Sequence, residues 1–325
     1  MAYQGTLQAP IQSGFGYRST ASEIVDQKNL EGFNVVVTGG YSGIGKETVR
    51  ALASAGASVI VAARRIQEAH RALLDVGGTV DLIYVDLLQP ASIDAFASEV
   101  AKRWNKVDIL INNAAVMASP LARDMRGFET QFSANHLGHF QLTARLWPLL
   151  MNANKARVVA LSSIGHRLDG MDLNDLSWET REYDKWAAYG QAKSANALFA
   201  LHLDKLGERH GVRAFSVHPG GIATALQRHL TMEEQVAMGW YDEDGNLAKR
   251  FKTQEQGAAT TVWAATSSKL DGMGGVYCED CEIAVPASKE TGMRSGVGDN
   301  VRDPEVASQL WQASEKMTGV PFSPE

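Results

Sequence analysis

The stretch FNVVVTGGYSGIGKETVRALASAG, residues 33–56, decides how the rest of the chain is read. Phe33–Gly40 is an apolar, β-branched run that ends in glycines, as a buried strand does. The segment from Ile44 reads as a helix closed by Gly56. Between them lie Gly39, Gly43 and Gly45. Glycines in such a turn let the backbone approach a phosphate and let helix and strand pack closely. The helix N-terminus then offers free N–H groups and the positive end of its dipole. The spacing is G-x-x-x-G-x-G rather than the G-x-G-x-x-G of many dinucleotide sites, and a purely structural turn also needs glycine.

Outward from this unit the alternation continues. SVIVAA (58–63), DLIYVDL (81–87), VDILINNAA (107–115), ARVVALSS (156–163) and VRAFSVHPGG (212–221) read as five further strands. Helical patterns separate them at about 90–103, 126–152 and 187–210. Strands alternating with helices predict an α/β fold: a single Rossmann-like, doubly wound parallel sheet with right-handed crossovers and helices on both faces. Residues 1–30 read as an N-terminal arm with a short helix, since Thr20–Glu23 forms a capping box. Residues 31–285 read as the single domain, with candidate substrate loops at 165–187 and 225–252, and 286–325 as a C-terminal tail.

The chain has 325 residues, 45% hydrophobic and 21% charged, enough for a substantial core. A net charge of −6 argues against a nucleic-acid or anionic-membrane partner. No apolar run approaches the roughly 20 residues of a membrane span. The first twenty residues have neither the basic start nor the apolar core of a signal peptide, so the expectation is a cytoplasmic protein. Cys278 and Cys281 in YCEDC could be a redox pair or half a zinc site. No second pair stands at zinc spacing and the motif lies late in the chain, so structural thiols are expected. His136, His139 and His218 lack carboxylates at ligand spacing and are expected to be packing or polar residues, with no metal.

One ordered set of motifs is specific. TGGYSGIG, NNAA (112–115), Asn135 in a helical pattern, Ser163 ending a strand, Tyr189-x-x-x-Lys193 and HPGGIAT (218–224) follow one another. The set resembles the short-chain dehydrogenase/reductase superfamily over about residues 33–277. SGIGKET, NHLGHF, SSIGH and AYGQAKSANALF look like its retinol-dehydrogenase-like branch.

The resemblance implies a catalytic set of Asn135, Ser163, Tyr189 and Lys193. Chemistry agrees with it. The i, i+4 spacing puts Tyr189 and Lys193 on one helix face. A free phenol titrates at about 10, and a neighbouring ammonium favours its charged form. In reduction Tyr189 would donate a proton to the carbonyl oxygen, Ser163 would steady the developing charge, and Asn135 would hold a water linking Lys193 to solvent. Lys193 would also meet the nicotinamide ribose. Strand alternation sends Ser162 and Ser163 in opposite directions, and the family pattern favours Ser163.

The cofactor site implied by the resemblance comprises Gly39, Tyr41, Ser42, Gly43, Ile44 and Gly45 in the glycine turn. Asp86 and Leu87 end the third strand, where an acid meets the adenine amine; Asp86 could instead serve as a helix N-terminal acid. Asn113, Ala114 and Ala115 end the fourth strand beside the adenosine ribose. Tyr189 and Lys193 belong to it, as do Pro219, Gly220, Ile222 and Thr224. The second strand ends with Ala63, Arg64 and Arg65. An uncharged Ala63 where NAD enzymes carry an acid, followed by arginine, predicts NADP(H) over NAD(H), with Arg64 the main contact to the 2′-phosphate and Arg65 secondary.

For the substrate, Met238, Trp240 and Tyr241 are candidate wall residues of a lid; the segment could equally be an amphipathic surface or an oligomer contact. An apolar, aromatic mouth predicts a small lipophilic alcohol, ketone or aldehyde. The absence of a hydrophobic anchor in the first residues weakens retinol itself. Two other functions share the fold: a carbon–carbon double-bond reductase, and a nucleotide-sensing protein that the intact catalytic set argues against. Relatives associate through the helices at about 126–152 and 187–210, so a homodimer or homotetramer is expected.

Overall fold

The structure, a computed structural model, describes residues 5–322. Eight strands form one sheet: β1 Asn34–Thr38, β2 Ser58–Ala63, β3 Thr79–Tyr84, β4 Ile109–Asn112, β5 Ala156–Leu161, β6 Val212–His218, β7 Val276–Glu279 and β8 Glu282–Ile283. Their order is β3-β2-β1-β4-β5-β6-β7-β8. All neighbours through β7 pair in parallel, and only β8 runs antiparallel to β7. The sheet grows one way from β1 to β3 and the other way from β4 onward. That reversal opens a crevice at the carboxyl ends of β1 and β4, the place where such sheets bind ligands.

The helices are α1 Ala21–Val25, α2 Gly43–Ser54, α3 Ile66–Ala72, α4 Pro90–Arg103, α5 Thr130–Phe132, α6 Gly138–Met151, α7 Lys185–Gly207, α8 Met232–Ala237, α9 Gln254–Thr266 and α10 Pro304–Thr318. Both faces of the sheet are covered, which is why its strands are continuously apolar. Val35 and Val37 pack with α2 and α9, while Val36, between them, packs with α4, α6 and α7. Each fully buried aliphatic side chain contributes about 1.5–3 kcal/mol.

The helix expected over 126–152 starts later. Asp124 accepts the N–H groups of Arg126 (2.8 Å) and Phe128 (3.0 Å), and Gly127 turns the chain at a φ of +89°. Glu129 then caps the helix by accepting from Gln131 and Phe132 at 2.8 and 2.7 Å. A π-turn, Ser133–Leu137, separates α5 from α6. A wider turn of this kind costs regular hydrogen bonding and often marks a working residue; here it contains Asn135.

The first and last described segments join the core. Gln8 donates to the carbonyls of Tyr277 and Ala284, and Glu282 accepts from the backbone of Ile11 and Ser13. The capping box at Thr20 and Glu23 opens α1 as expected. The segment expected as a tail carries α10, which lies along α7. Its Trp311, 5% exposed, stacks on Phe199 with ring centres 5.6 Å apart. Asp280 and Cys281 both have positive φ, +51° and +59°, and close a two-residue hairpin between β7 and β8. Cys278 and Cys281 are buried free thiols, and burial pushes Cys281 up to about 11. Among the described residues no helix is long and apolar enough to cross a membrane.

Candidate active site

The crevice continues into a cavity of about 1180 Å³ that runs from the glycine turn to an apolar mouth. At one end the β1–α2 turn presents Gly39, Tyr41, Ser42, Gly43, Ile44 and Gly45 to it. A Cβ on Gly45 would lie 2.5 Å from the Gly39 carbonyl oxygen, so only glycine lets α2 approach the turn. Gly39 has a φ of +64° and would place a Cβ 3.1 Å from that of Ala114. The cradle thus has the close approach and the open helix N-terminus that a pyrophosphate requires.

Thr38 organises the back of this turn. Its hydroxyl accepts the N–H groups of Asn113 and Ala114, each at 2.9 Å, and meets His139 Nε2 at 2.8 Å. His139 Nδ1 donates to the Asn135 carbonyl at 3.0 Å, so Nε2 is the acceptor from Thr38. The Asn113 amide donates to the Thr38 carbonyl at 2.7 Å. Its side chain therefore clamps the glycine turn, while Ala114 and Ala115 line the cavity.

Asp86 and Leu87 also line the cavity. The Asp86 carboxylate accepts from Leu88 N (3.0 Å) and Gln89 Nε2 (3.2 Å), the local helix-start role weighed for it, and remains beside the cavity. Arg64 and Arg65 stand at the end of β2, joined by Arg228 from beyond Thr224; all three line the cavity. Arg65 pairs with Glu68 at 3.1 Å, whereas Arg64 has no acid partner among the described residues. Burial, with repulsion from Arg64 and Arg65, depresses the Arg228 guanidinium. Such a concentration of positive charge is the electrostatic complement of a phosphate. Pro219, Gly220, Ile222 and Thr224 line the opposite wall, and Thr224 packs its methyl where a Cβ on Gly43 would stand.

At the centre of the cavity are Ser163, Tyr189 and Lys193. Asp184 caps α7, accepting from Trp186 and Ala187 at 2.9 and 2.7 Å, and so sets the helix that holds Tyr189 and Lys193. Gly165 leaves room for the phenol: a Cβ there would lie 2.9 Å from the Tyr189 ring. Ser162 and Ser163 diverge. Ser162 Oγ donates to the Lys193 carbonyl at 2.7 Å, while the Ser163 hydroxyl accepts the Gly165 N–H at 3.1 Å and lies beside the Tyr189 phenol in the cavity. Burial pushes Tyr189 up to about 12, with the nearby Ser163 hydroxyl pulling the other way. Burial also pulls Lys193 down to about 7; its ammonium donates to the Leu161 carbonyl at 3.0 Å, and its other protons have no protein acceptor among the described residues. Asn135 braces the floor, its amide exchanging two hydrogen bonds with the backbone of Val116 at 2.8 and 2.9 Å.

A phenol, a serine hydroxyl and a lysine held together on the lip of a phosphate cradle can move a proton at a carbonyl or carbinol beside a dinucleotide. The protein-family model for the short chain dehydrogenase matches residues 34–235. A probable oxidoreductase of Streptomyces antibioticus is 40% identical over 87% of this chain and 97% of its own. The chain is a short-chain dehydrogenase/reductase. It belongs to the retinol-dehydrogenase-like branch: mouse retinol dehydrogenase 12 is 36% identical to it over 90% of this chain and 88% of that one. The solved structure of an uncharacterised protein from Mycobacterium paratuberculosis superposes on this dehydrogenase with a TM-score of 0.73 at 32% identity, covering 95% of this chain and all of the other.

The mouth of the dehydrogenase's cavity only partly follows expectation. Met238 and Trp240 line it; Tyr241 does not. Residues 240–248 form a small hairpin in which Tyr241 bridges Leu247. Adjacent residues of an extended strand face opposite ways, so placing Trp240 inward turns Tyr241 outward. Trp186 completes the aromatic wall, with ring centres 6.3 Å from Tyr189 and 6.1 Å from Trp240. Met117, Leu226 and Phe251 add apolar surface, and Glu279 and Met293–Ser295 close the far side. None of these carries a local sequence signal except Trp186, one turn before Tyr189 on α7.

Proposed function

We propose that this short-chain dehydrogenase/reductase is an NADP(H)-dependent oxidoreductase that interconverts a lipophilic alcohol and its ketone or aldehyde, with Tyr189 as general acid/base. The observation that carries this reading is the gathering of buried Tyr189 and Lys193 with Ser163 in one cavity that is a phosphate cradle at one end and an aromatic slot at the other. A phenol pushed up to about 12 is fully protonated at neutral pH, the form an acid needs in carbonyl reduction. Ser163, beside the same phenol, presents its hydroxyl to the same substrate oxygen. Lys193 keeps protons free for ribose hydroxyls and, when charged, favours the phenolate during alcohol oxidation.

The residues present fit a nicotinamide dinucleotide, whose chemistry is to carry hydride to or from the substrate carbon. Gly39 to Gly45 would take the pyrophosphate, Lys193 the ribose, and Pro219 to Thr224 the nicotinamide side. Arg64, with Arg65 and Arg228 beside it, would take a 2′-phosphate, since no carboxylate among the described residues neutralises Arg64. Relatives named retinol dehydrogenases support a lipophilic substrate. The sequence pointed to a homodimer or homotetramer built on the two long helices; that assembly would have to use another surface, because α10 lies along α7. The test is oxidation of NADPH and of NADH against a panel of lipophilic aldehydes, ketones and enones, with product analysis for the enones. Reduction at the carbonyl supports the proposal; reduction of the carbon–carbon bond alone assigns the enzyme to the other chemistry of this fold.

A further inference from the structure

Of the acids that line the cavity, Glu68, Asp86, Glu279 and Asp280, only Glu279 is buried, and the proton-transfer set leaves it unused. Glu279 ends β7, in register with His218 on β6. It is 8% exposed and lines the same cavity as Tyr189. Its Oε1 accepts the Gly296 N–H at 2.8 Å. Its Oε2 has no protein partner among the described residues and opens to the cavity. Burial pushes this carboxyl up to about 7, so holding it here costs stability. Fastening Gly296 does not require that cost, because a neutral amide oxygen would accept the same N–H.

The groups around it define what could meet the second oxygen. Asp280 pairs with Lys252 at 2.6 Å, and Arg167 is occupied by the carbonyls of Gly292 and Ser295 at 2.6 and 2.7 Å. The neighbouring bases already have acceptors, and Arg250 and Arg294 line the same cavity, which favours a neutral donor over a further cation. The cavity wall between Tyr189 and the mouth is apolar, formed by Met117, Trp186, Leu226, Met238, Trp240 and Phe251. A ligand that spans this space is lipophilic along its body and polar at its far end.

We infer that Glu279 is a substrate-anchoring residue that accepts a hydrogen bond from a hydroxyl group remote from the reacting carbonyl, so that the preferred substrates are hydroxylated lipophilic carbonyl compounds. The inference rests on the carbonyl-reductase reading of the site. It explains why a buried carboxylate keeps one oxygen unpartnered in a cavity with an aromatic slot: a hydroxyl arriving there satisfies it, and a purely hydrocarbon ligand leaves it desolvated.

The experiment compares 2-alkanones of six to twelve carbons with their ω-hydroxy counterparts, using the full-length enzyme and NADPH. At pH 8, where a carboxyl titrating at about 7 is mostly ionised, the hydroxylated ketone should exceed its parent of the same chain length in kcat/KM by about 10- to 150-fold, the range of a hydrogen bond to a charged acceptor. Glu279→Gln, which retains an oxygen for Gly296, should collapse that ratio towards one. Glu279→Asp, one methylene shorter, should move the preferred length to a longer chain. A ratio near one at every length in the wild type, or a ratio that survives in Glu279→Gln, would overturn the anchor while leaving carbonyl reduction standing. If neither parent nor hydroxylated ketones are reduced, the carbonyl-reductase reading fails and the anchor with it.

Discussion

The Lys193 ammonium lies 5.6 Å from the centre of the Tyr189 ring, and both side chains are buried with no acid between them. Burial drives the two in opposite directions, the phenol up and the ammonium down. The pair is therefore strained towards its neutral forms until further polar partners arrive. Removing the phenolic oxygen removes the proton donor and little of the packing. Tyr189→Phe should retain the fold and cofactor affinity and fall below a tenth of wild-type turnover, a loss above ~1.4 kcal/mol in the barrier. Lys193→Ala should weaken both cofactor binding and turnover. Steady-state kinetics with fluorescence titration of NADPH checks both; a Tyr189→Phe enzyme with more than a tenth of its turnover rules the phenol out as the acid.

On the proposed reading, cofactor choice should depend on Arg64. With the 2′-phosphate as its partner, Arg64→Ala should lower kcat/KM for NADPH by roughly 10- to 150-fold, the worth of one charge-assisted hydrogen bond, and leave NADH use nearly unchanged. Arg228→Ala should act in the same direction. Equal or better efficiency of the wild type with NADH sinks the assignment.

Trp240 and Tyr241 are neighbours with opposite orientations, and their truncations should differ. Trp240→Ala opens the aromatic wall against Trp186 and should raise KM for lipophilic carbonyls about tenfold or more, as the loss of a buried aromatic contact implies. Tyr241→Ala should change KM less than about twofold, since it faces away from the cavity. Equal effects would show that the 240–248 hairpin turns over on binding.

Acid should destabilise the fold through its histidines. His136, His139 and His218 are buried, and burial depresses them to about 3, 4 and 3. Unfolded histidines titrate at about 6.5, so below that pH the unfolded chain binds protons that the folded chain refuses. The histidine contribution is then constant above about pH 6.5 and falls as pH drops towards 4, by up to ~1.4 kcal/mol per pH unit for each histidine. Urea unfolding at pH 7.5, 6 and 5 reads the slope. His136→Gln, which can still donate to Ser314, should flatten it.

The C-terminal helix should matter as core. Trp311→Ala removes the ring stacked on Phe199 and packed against Phe140 and Phe322, and should cost ~3–5 kcal/mol. Chemical unfolding measures the loss, and light scattering on the same samples gives the mass in solution. A strictly monomeric mass at micromolar concentration refutes the homodimer or homotetramer read from the sequence.

The sequence by itself determined what is local. Apolar β-branched runs and helical periodicities mark six of the eight strands and the long helices, because period and side-chain branching act within a few residues. The glycine turn was legible because close approach excludes a Cβ. Tyr189 and Lys193 share a face because an α-helix repeats every 3.6 residues. The start of the helix at Thr130 was not legible, because Asp124 and Glu129 outweigh the pattern through side-chain caps.

Tertiary structure decided the rest. Only packing across the sheet brings Arg228 to Arg64, and Glu279 and Met293–Ser295 to the far wall of a cavity whose centre is Tyr189. Only the hairpin at 240–248 turns Trp240 in and Tyr241 out. Only α10 lying on α7 makes a core element of a segment that read as a tail. The protonation states follow the same division. Residue type sets a phenol at about 10, and desolvation by the whole fold moves Tyr189 to about 12. Local sequence encodes which groups stand one turn apart, whereas burial sums over every element that excludes water.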